Sequence, residues 1–483
     1  MKFKKYYTAF VLMCPLFSLL EAKEVKYDLT VSERVIAPTG KKVKALALNG
    51  STPGPTLRFK VGDSAKITVN NSLTKQQTSI HWHGLLLPNE QDGVPYLTTP
   101  PIEAGTSKVF EFPLTHAGTY WYHSHTGLQE QRGVYGSIVV EPKKKFNDAD
   151  REYVIVLSDW TNQNPKSVMK TLMRGSEYYS VKKGNAQSIL GAYKDGELKN
   201  YFRRERSRMN PMDMSDVYYD QFWVNGKPEI HLDAKAGDRV KLRFINAGAS
   251  TYFYVNSATG KMKIVAADGP RVKPVSVSNL LIGMAETYDV VVTVPKSGAY
   301  EVRATAQDNS GHASIILGKG NVKKAKSPPK ANLYSMEAMV EAAMMSMGNM
   351  EADEVPNMER PQSPYHLLRS PKKTDFKASL PRRELELRLT GDMKRYIWSF
   401  DGKTLKEKTA IKVQKGEVVR FKLINDTMMH HPLHLHGHFF RVINRYGKFS
   451  PLKHTVDVPP MGQRIIEFEA NEEKDWFFHC HLL

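Results

Sequence analysis

The chain has 483 residues, 41% hydrophobic and 25% charged, with a formal net charge of +19. That length favours about three domains, and the composition is that of folded globular domains rather than disordered or fibrous sequence. No nucleic-acid-binding motif accompanies the charge, so it describes a generally basic surface and no nucleic-acid partner is expected.

The chain opens with Lys2, Lys4 and Lys5 and an apolar run from Ala9 to Leu20. This pattern predicts an export signal over residues 1–22, too short to anchor in a bilayer. No second long apolar stretch follows and no twin arginine is present, so the expectation is a periplasmic protein without a membrane span, exported by the general secretory route. Loss of the signal leaves Cys480 as the only cysteine, which excludes an intrachain disulfide.

Three alternating segments then repeat at near-equal spacing. Gly62-Asp63, Gly237-Asp238 and Gly416-Glu417 each open a run that ends at an asparagine: Asn71, Asn246 and Asn425. Ala65, Ile67 and Val69, then Val240, Leu242 and Phe244, then Val419, Phe421 and Leu423 alternate with polar residues, the pattern of half-buried strands. The spacing fits whole domains rather than a solenoid, and few segments read as long helices, so an all-β sandwich is expected for each copy. The expected boundaries are residues 23–145, 146–321 and 382–483. Between the last two lies a linker, residues 322–381, rich in lysine, proline and methionine. It carries Met336, Met339, Met344, Met345, Met347, Met350 and Met358, with a short helix expected near Ser335 to Met345. Thioether sulfur is soft and adaptable, so Met336, Met339, Met344, Met347 and Met350 are candidate cuprous-ion ligands. Met209, Met212 and Met214 add to that count.

Four histidine clusters stand at the two ends of this repeat: His81-Trp82-His83-Gly84, His123-Ser124-His125, His431-Pro432-Leu433-His434-Leu435-His436 and His479-Cys480-His481. Residues two apart on a strand share a face, so each His-x-His pair offers two imidazoles to one point. The matching strand of the middle copy, Gly298 to Thr305, has no ligand there and reads as a spacer. By the same parity Cys480 faces away from His479 and His481, and His431 faces away from His434 and His436. Cys480 and His431 can therefore build one mononuclear site, and the eight paired histidines a second on the other side of the backbone. Eight imidazoles are too many for one metal, and a thiolate between two histidines narrows the choice toward copper. The isolated His116, His231, His312, His366, His430 and His454 are read as structural or exposed, and His438 is left outside the ligand set.

These motifs resemble those of the multicopper oxidases, and among them the bacterial copper-resistance type with methionine-rich segments. The resemblance spans essentially the whole mature chain. It implies three consecutive cupredoxin-like Greek-key β-sandwich domains, with a trinuclear copper cluster between the first and third. His81 and His434 resemble type 2 ligands. His83, His123, His125, His436, His479 and His481 resemble the ligands of the type 3 pair, and His431 and Cys480 resemble type 1 ligands. Asp92 resembles the family's acidic residue near the oxygen-reducing site, which supplies protons. The family pattern continues past His-Cys-His to a second type 1 histidine and an axial methionine. The sequence ends at Leu483 before both, so the type 1 site is incomplete as printed. The implied function is an exported, monomeric oxidase that couples oxidation of cuprous ion, phenols or other metal ions to reduction of oxygen to water, serving copper tolerance. A copper-sequestering protein without turnover is the alternative that the missing ligands raise.

Overall fold

The computed structural model describes residues 23–482, except 176, 208–215, 297, 335–359, 393–394 and 408–409. The export signal, the short helix near Ser335, the linker methionines Met336, Met339, Met344, Met345, Met347, Met350 and Met358, and Met209, Met212 and Met214 lie outside the described residues.

Among the described residues strands dominate, arranged in six sheets that fall into three successive pairs. The first pair shows how the alternating segments build a core. One sheet holds Glu24–Ile36, Val43–Leu48, Ser64–Asn71 and Ser107–Pro113, and the other Leu57–Lys60, His81–His83, Gly118–His123 and Tyr135–Glu141. Ile67, Val69 and Phe110 from one sheet meet Trp82, Tyr120 and Ile138 from the other in a single buried cluster. Burial of apolar side chains between two faces is what stabilises a sandwich of this kind.

The sequence repeat corresponds to a repeated topology. In each pair the opening strand runs parallel to the repeat strand: Glu24–Val31 beside Ser64–Asn71, Arg151–Leu157 beside Val240–Asn246, and Arg382–Leu389 beside Val418–Asn425. The other edge of each repeat strand pairs antiparallel, with Ser107–Pro113, Thr287–Thr293 and Gln463–Glu469 respectively. The terminal asparagine locks the same bend in all three copies. Asn71 donates to the carbonyls of Gln76 and Ile102, Asn246 to those of Thr251 and Ile282, and Asn425 to those of Met429, Val458 and Pro459. Each also accepts from the main-chain N–H two residues on, at Leu73, Gly248 and Thr427. A side-chain amide that satisfies buried main-chain groups where a strand ends explains why asparagine recurs there.

One departure from the expected architecture is a helical excursion in the middle unit: α1 (Pro165–Met173), α2 (Tyr178–Lys183), α3 (Ile189–Lys194) and α4 (Leu198–Arg206). Helix α1 starts at a capping asparagine, Asn164, whose side chain accepts from Lys166 N–H, followed by proline at the first position. It buries only Val168 and Leu172, too sparse an apolar pattern to stand out in sequence. No helix among the described residues is long and apolar enough to cross a membrane.

The middle unit braces both ends. Its Asp289 accepts from Thr119 Oγ1 at 2.5 Å, and its Arg243 donates to the same hydroxyl at 2.9 Å, on the strand that ends at His123. Its Asp268 accepts from the main-chain N–H of His454 at 3.2 Å and of Thr455 at 3.0 Å, in the third unit.

Candidate metal centre

The histidine clusters sit at strand ends where the first and third units meet. His81–His83 is a three-residue strand in which His81 lies opposite His123. His434, inside the strand His431–Leu435, lies opposite His479 of Phe478–Cys480. His125, His436 and His481 stand just beyond their strands, where alternation alone does not aim a side chain. Main-chain hydrogen bonds hold these three: His125 N–H to Ser79 Oγ, His436 N–H to the Phe477 carbonyl and His481 N–H to the Pro432 carbonyl.

The eight rings form one cage. His83 Nε2 and His481 Nε2, 398 residues apart in sequence, lie 3.2 Å from each other. His436 Nε2 and His479 Nε2 lie 3.1 Å apart. One nitrogen of each member lies within 4.8 Å of the others in the trios His81/His434/His436, His81/His123/His125, His83/His123/His481 and His125/His436/His479.

The outward nitrogens are anchored, which fixes what the inward ones can do. His81 Nδ1 lies 2.7 Å from the Asp92 carbonyl, His434 Nδ1 2.7 Å from the His454 carbonyl and His123 Nδ1 2.8 Å from Glu130 Oε2. A proton held on Nδ1 by such an acceptor leaves Nε2 with its lone pair free. Nε2 of His81, His123, His125 and His434 is buried without a hydrogen-bond partner. Burial, reinforced by the neighbouring rings, holds His83, His125, His434, His436 and His481 well below the usual imidazole range, and it pushes His479 down to about 3. These six rings are neutral at pH 7. An unsatisfied buried polar atom costs about 1–3 kcal/mol, so several in one cage are costly unless a metal takes their lone pairs. A donor set made only of imidazole nitrogens fits copper.

On the other side of the backbone, Cys480 Sγ lies 3.5 Å from His431 Nδ1. His431 Nε2 is engaged by Thr427 Oγ1 at 2.7 Å, which leaves Nδ1 for the sulfur side. Burial lowers the His431 ring to about 4 and pushes the Cys480 thiol up to about 12, so a metal there must displace the thiol proton. His430 turns away, with Nδ1 on Asp457 at 3.0 Å and Nε2 facing the Gln307 amide at 3.2 Å.

Asp92 ends a short 3-10 turn, Asn89–Gln91, and is 1% exposed. Its carboxylate lies 3.0 Å from His436 Nδ1 and 3.3 Å from His81 Nδ1, so it joins rings from both ends of the chain. Gly93 makes this approach feasible. Its φ is +88°, and a Cβ there would lie 1.8 Å from the Ile80 carbonyl oxygen.

Sequence profiles of the multicopper oxidases match residues 30–145, 151–321 and 379–483, nearly the whole described chain. The chain is 34% identical to copper resistance protein A of Escherichia coli, over 95% of this chain and 90% of that one. It belongs to the multicopper oxidase family. The oxidase is also 32% identical to the multicopper oxidase MmcO of Mycobacterium tuberculosis, covering 92% of this chain and 81% of that one. In fold it is similar to Fet3p, a multicopper oxidase that functions in iron import. The TM-score is 0.72 at 20% identity, over 95% of this chain and 88% of that one. A multicopper oxidase from Pseudomonas thermotolerans is similar at a TM-score of 0.67 and 21% identity, over 95% and 96% of the two chains.

Two residues of the oxidase's cage escaped the sequence reading. Glu130 has no motif around it, and only the fold carries it to His123. His454, expected to be structural or exposed, is 1% exposed and reaches the cage itself. His438 stays outside the trios, with Nδ1 on the His436 carbonyl and its ring against Phe468. His231 and His312 are exposed, His366 is half-buried and joins none of the histidine trios, and His116 packs against Phe439.

Proposed function

We propose that the eight histidines hold the three coppers of an oxygen-reducing cluster, His81 and His434 as type 2 ligands and the other six as ligands of the type 3 pair. The approach of His83 to His481 carries this reading, because it joins half-sites that neither end of the chain could complete alone. The domains are residues 23–145, 146–321 and 382–483, with the cluster between the first and third. His431 and Cys480 form the electron-accepting type 1 site. Bound copper supplies one-electron steps that together reduce oxygen to water.

The protein's own part is positioning, insulation and proton supply. Asp92, with an oxygen on His436 and another near His81, holds two ligands and stands where protons must reach reduced oxygen. Glu130 orients His123 in the same way. Cys480 connects to His479 and His481 through adjacent peptide units, so an electron accepted at the sulfur has a short covalent route to the cage.

The reducing substrate is cuprous ion, with phenols and other metal ions as alternatives, and the role is copper tolerance outside the cytoplasm. The copper-resistance name of the Escherichia coli relative supports the substrate class, and the lysine-led apolar start supports export. Met336, Met339, Met344, Met347 and Met350 offer the soft ligands that a cuprous-ion route needs. The test is oxygen uptake by full-length, copper-loaded protein with cuprous ion as reductant, alongside copper counted per chain. Oxygen consumption in a one-to-four ratio to cuprous ion, without peroxide, is expected. A loaded protein that consumes no oxygen would overturn the proposal.

A further inference from the structure

Thr427 lies two residues beyond Asn425, the asparagine that ends the third repeat strand. At the same position the first two copies carry Leu73 and Gly248, which offer no side-chain donor or acceptor. All three residues give their main-chain N–H to the oxygen of their own asparagine. Thr427 alone of the three adds a hydroxyl, and that hydroxyl meets His431.

Counting protons fixes the direction of each hydrogen bond along this chain. Asn425 Nδ2 faces the carbonyls of Met429, Val458 and Pro459 at 2.6, 3.0 and 2.9 Å, so that end of the amide is the NH2 group and the other end is oxygen. The oxygen lies 2.8 Å from Thr427 Oγ1, so the hydroxyl donates to it and keeps lone pairs for its other neighbours. The Met429 carbonyl, 3.4 Å from the same hydroxyl, is also an acceptor and leaves this direction unchanged. His431 Nε2, 2.7 Å from Thr427 Oγ1, must then carry a proton. A neutral imidazole has one N–H, so the lone pair sits on Nδ1, the atom 3.5 Å from Cys480 Sγ. Trp398 packs edge-on to the ring at a centroid distance of 4.9 Å, and His431 is 3% exposed. The ring therefore has neither room to swing nor water to supply another acceptor.

We propose that Thr427 is a positioning residue of the type 1 site, which presets the Nε2–H form of His431 and strengthens that ring as a donor to cupric ion. The inference rests on the reading of His431 and Cys480 as type 1 ligands. An acceptor on the outer N–H of a ligating histidine fixes the ring's orientation and raises its basicity. A more basic nitrogen favours cupric over cuprous ion, so loss of the hydroxyl raises the reduction potential of the site. The asparagine that locks a bend in every copy thus also ends, in the third, the chain that sets a metal ligand.

The test uses full-length protein and the variants Thr427→Val and Thr427→Ser, with His431→Gln to assign the His431 resonances. In the copper-free wild type, nitrogen NMR of the histidine rings should show His431 in the Nε2–H form. The Nδ1–H form there overturns the proposal before any variant is made. Valine keeps the shape of threonine but leaves the Nε2–H without an acceptor, so the Nδ1–H form should become populated, while serine should keep the wild-type form. The copper-loaded proteins are compared by type 1 potential and charge-transfer band. Thr427→Val should weaken the hold on cupric relative to cuprous ion about tenfold, a rise of about 59 mV for one electron. Thr427→Ser should stay near wild type. If the valine variant does not fold, Thr427→Ala supplies the same comparison. A variant that melts earlier with an unmoved potential marks the hydroxyl as structural only and overturns the proposal, as does an equal shift in the valine and serine variants. A copper-loaded wild type with the Nε2–H form but no type 1 band would overturn the type 1 reading, and this inference with it.

Discussion

Replacing Asp92 by asparagine preserves the side chain's shape and removes its charge. The carboxylate now faces two ring nitrogens, His436 Nδ1 at 3.0 Å and His81 Nδ1 at 3.3 Å. Hydrogen bonds to a charged acceptor contribute about 1.5–3 kcal/mol against roughly 0.5–1.5 for neutral pairs, so the His436 contact weakens by about 1 kcal/mol. The amide can also turn its NH2 group toward His436 Nδ1 and leave that ring N–H unpaired, while the His81 proton stays on the Asp92 carbonyl at 2.7 Å. Together these lose about 2 kcal/mol, which corresponds to roughly a 30-fold fall in turnover. That lies within the 10–100-fold typical of residues that support metal ligands. The assay is oxygen uptake at saturating cuprous ion across pH, normalised to bound copper. Asp92→Asn should keep most of its copper, turn over about 30-fold more slowly, and lose more activity as pH rises and free protons become scarce. Turnover per bound copper equal to wild type, with an unaltered pH profile, would refute both the positioning and the proton-supply roles.

Asn425→Ala should lower stability by about 3 kcal/mol, read from the denaturant midpoint, because three buried carbonyls and the Thr427 N–H lose their partner; a change under about 0.5 kcal/mol would refute the bend-locking account. Gly84→Ala should reduce copper content, since its new methyl meets His454 and Tyr120 at an unfavourable φ; normal copper content would contradict the crowding described. Cys480→Ser should abolish oxidation of external reductants while the histidine cage keeps its copper, and retained oxidation would show that electrons reach the cage by another path. The metal-free protein should lose stability on acidification. Burial holds His431 and His454 at about 4 when folded, against an ordinary value of 6.5, so the unfolded chain takes up protons first. Their share of stability is therefore complete above about pH 6.5 and falls away toward pH 4, and a melting midpoint flat across that window would refute the assignment.

The sequence alone determined the chemistry and the repeat. His-x-His spacing and the opposite parity of Cys480 are local properties of a strand, and they survive in the ladder that pairs Leu433 with Cys480 and His434 with His479. Asn71, Asn246 and Asn425 were legible because each does the same local task at the end of the same strand. Other features were decided by contacts between distant segments, which leave no periodicity to read. Nothing near Asp92 says that its carboxylate will meet His436, 344 residues away. The isolated His454 looked like any other lone histidine until Asp268, Gly84 and His434 closed around it. His431 is preferred to His430 already in the sequence, from Pro432 after it, and the fold gives each ring a separate partner, Cys480 for His431 and Asp457 for His430. Strand alternation chooses the face a ligand points to, but only packing between units chooses what it meets there.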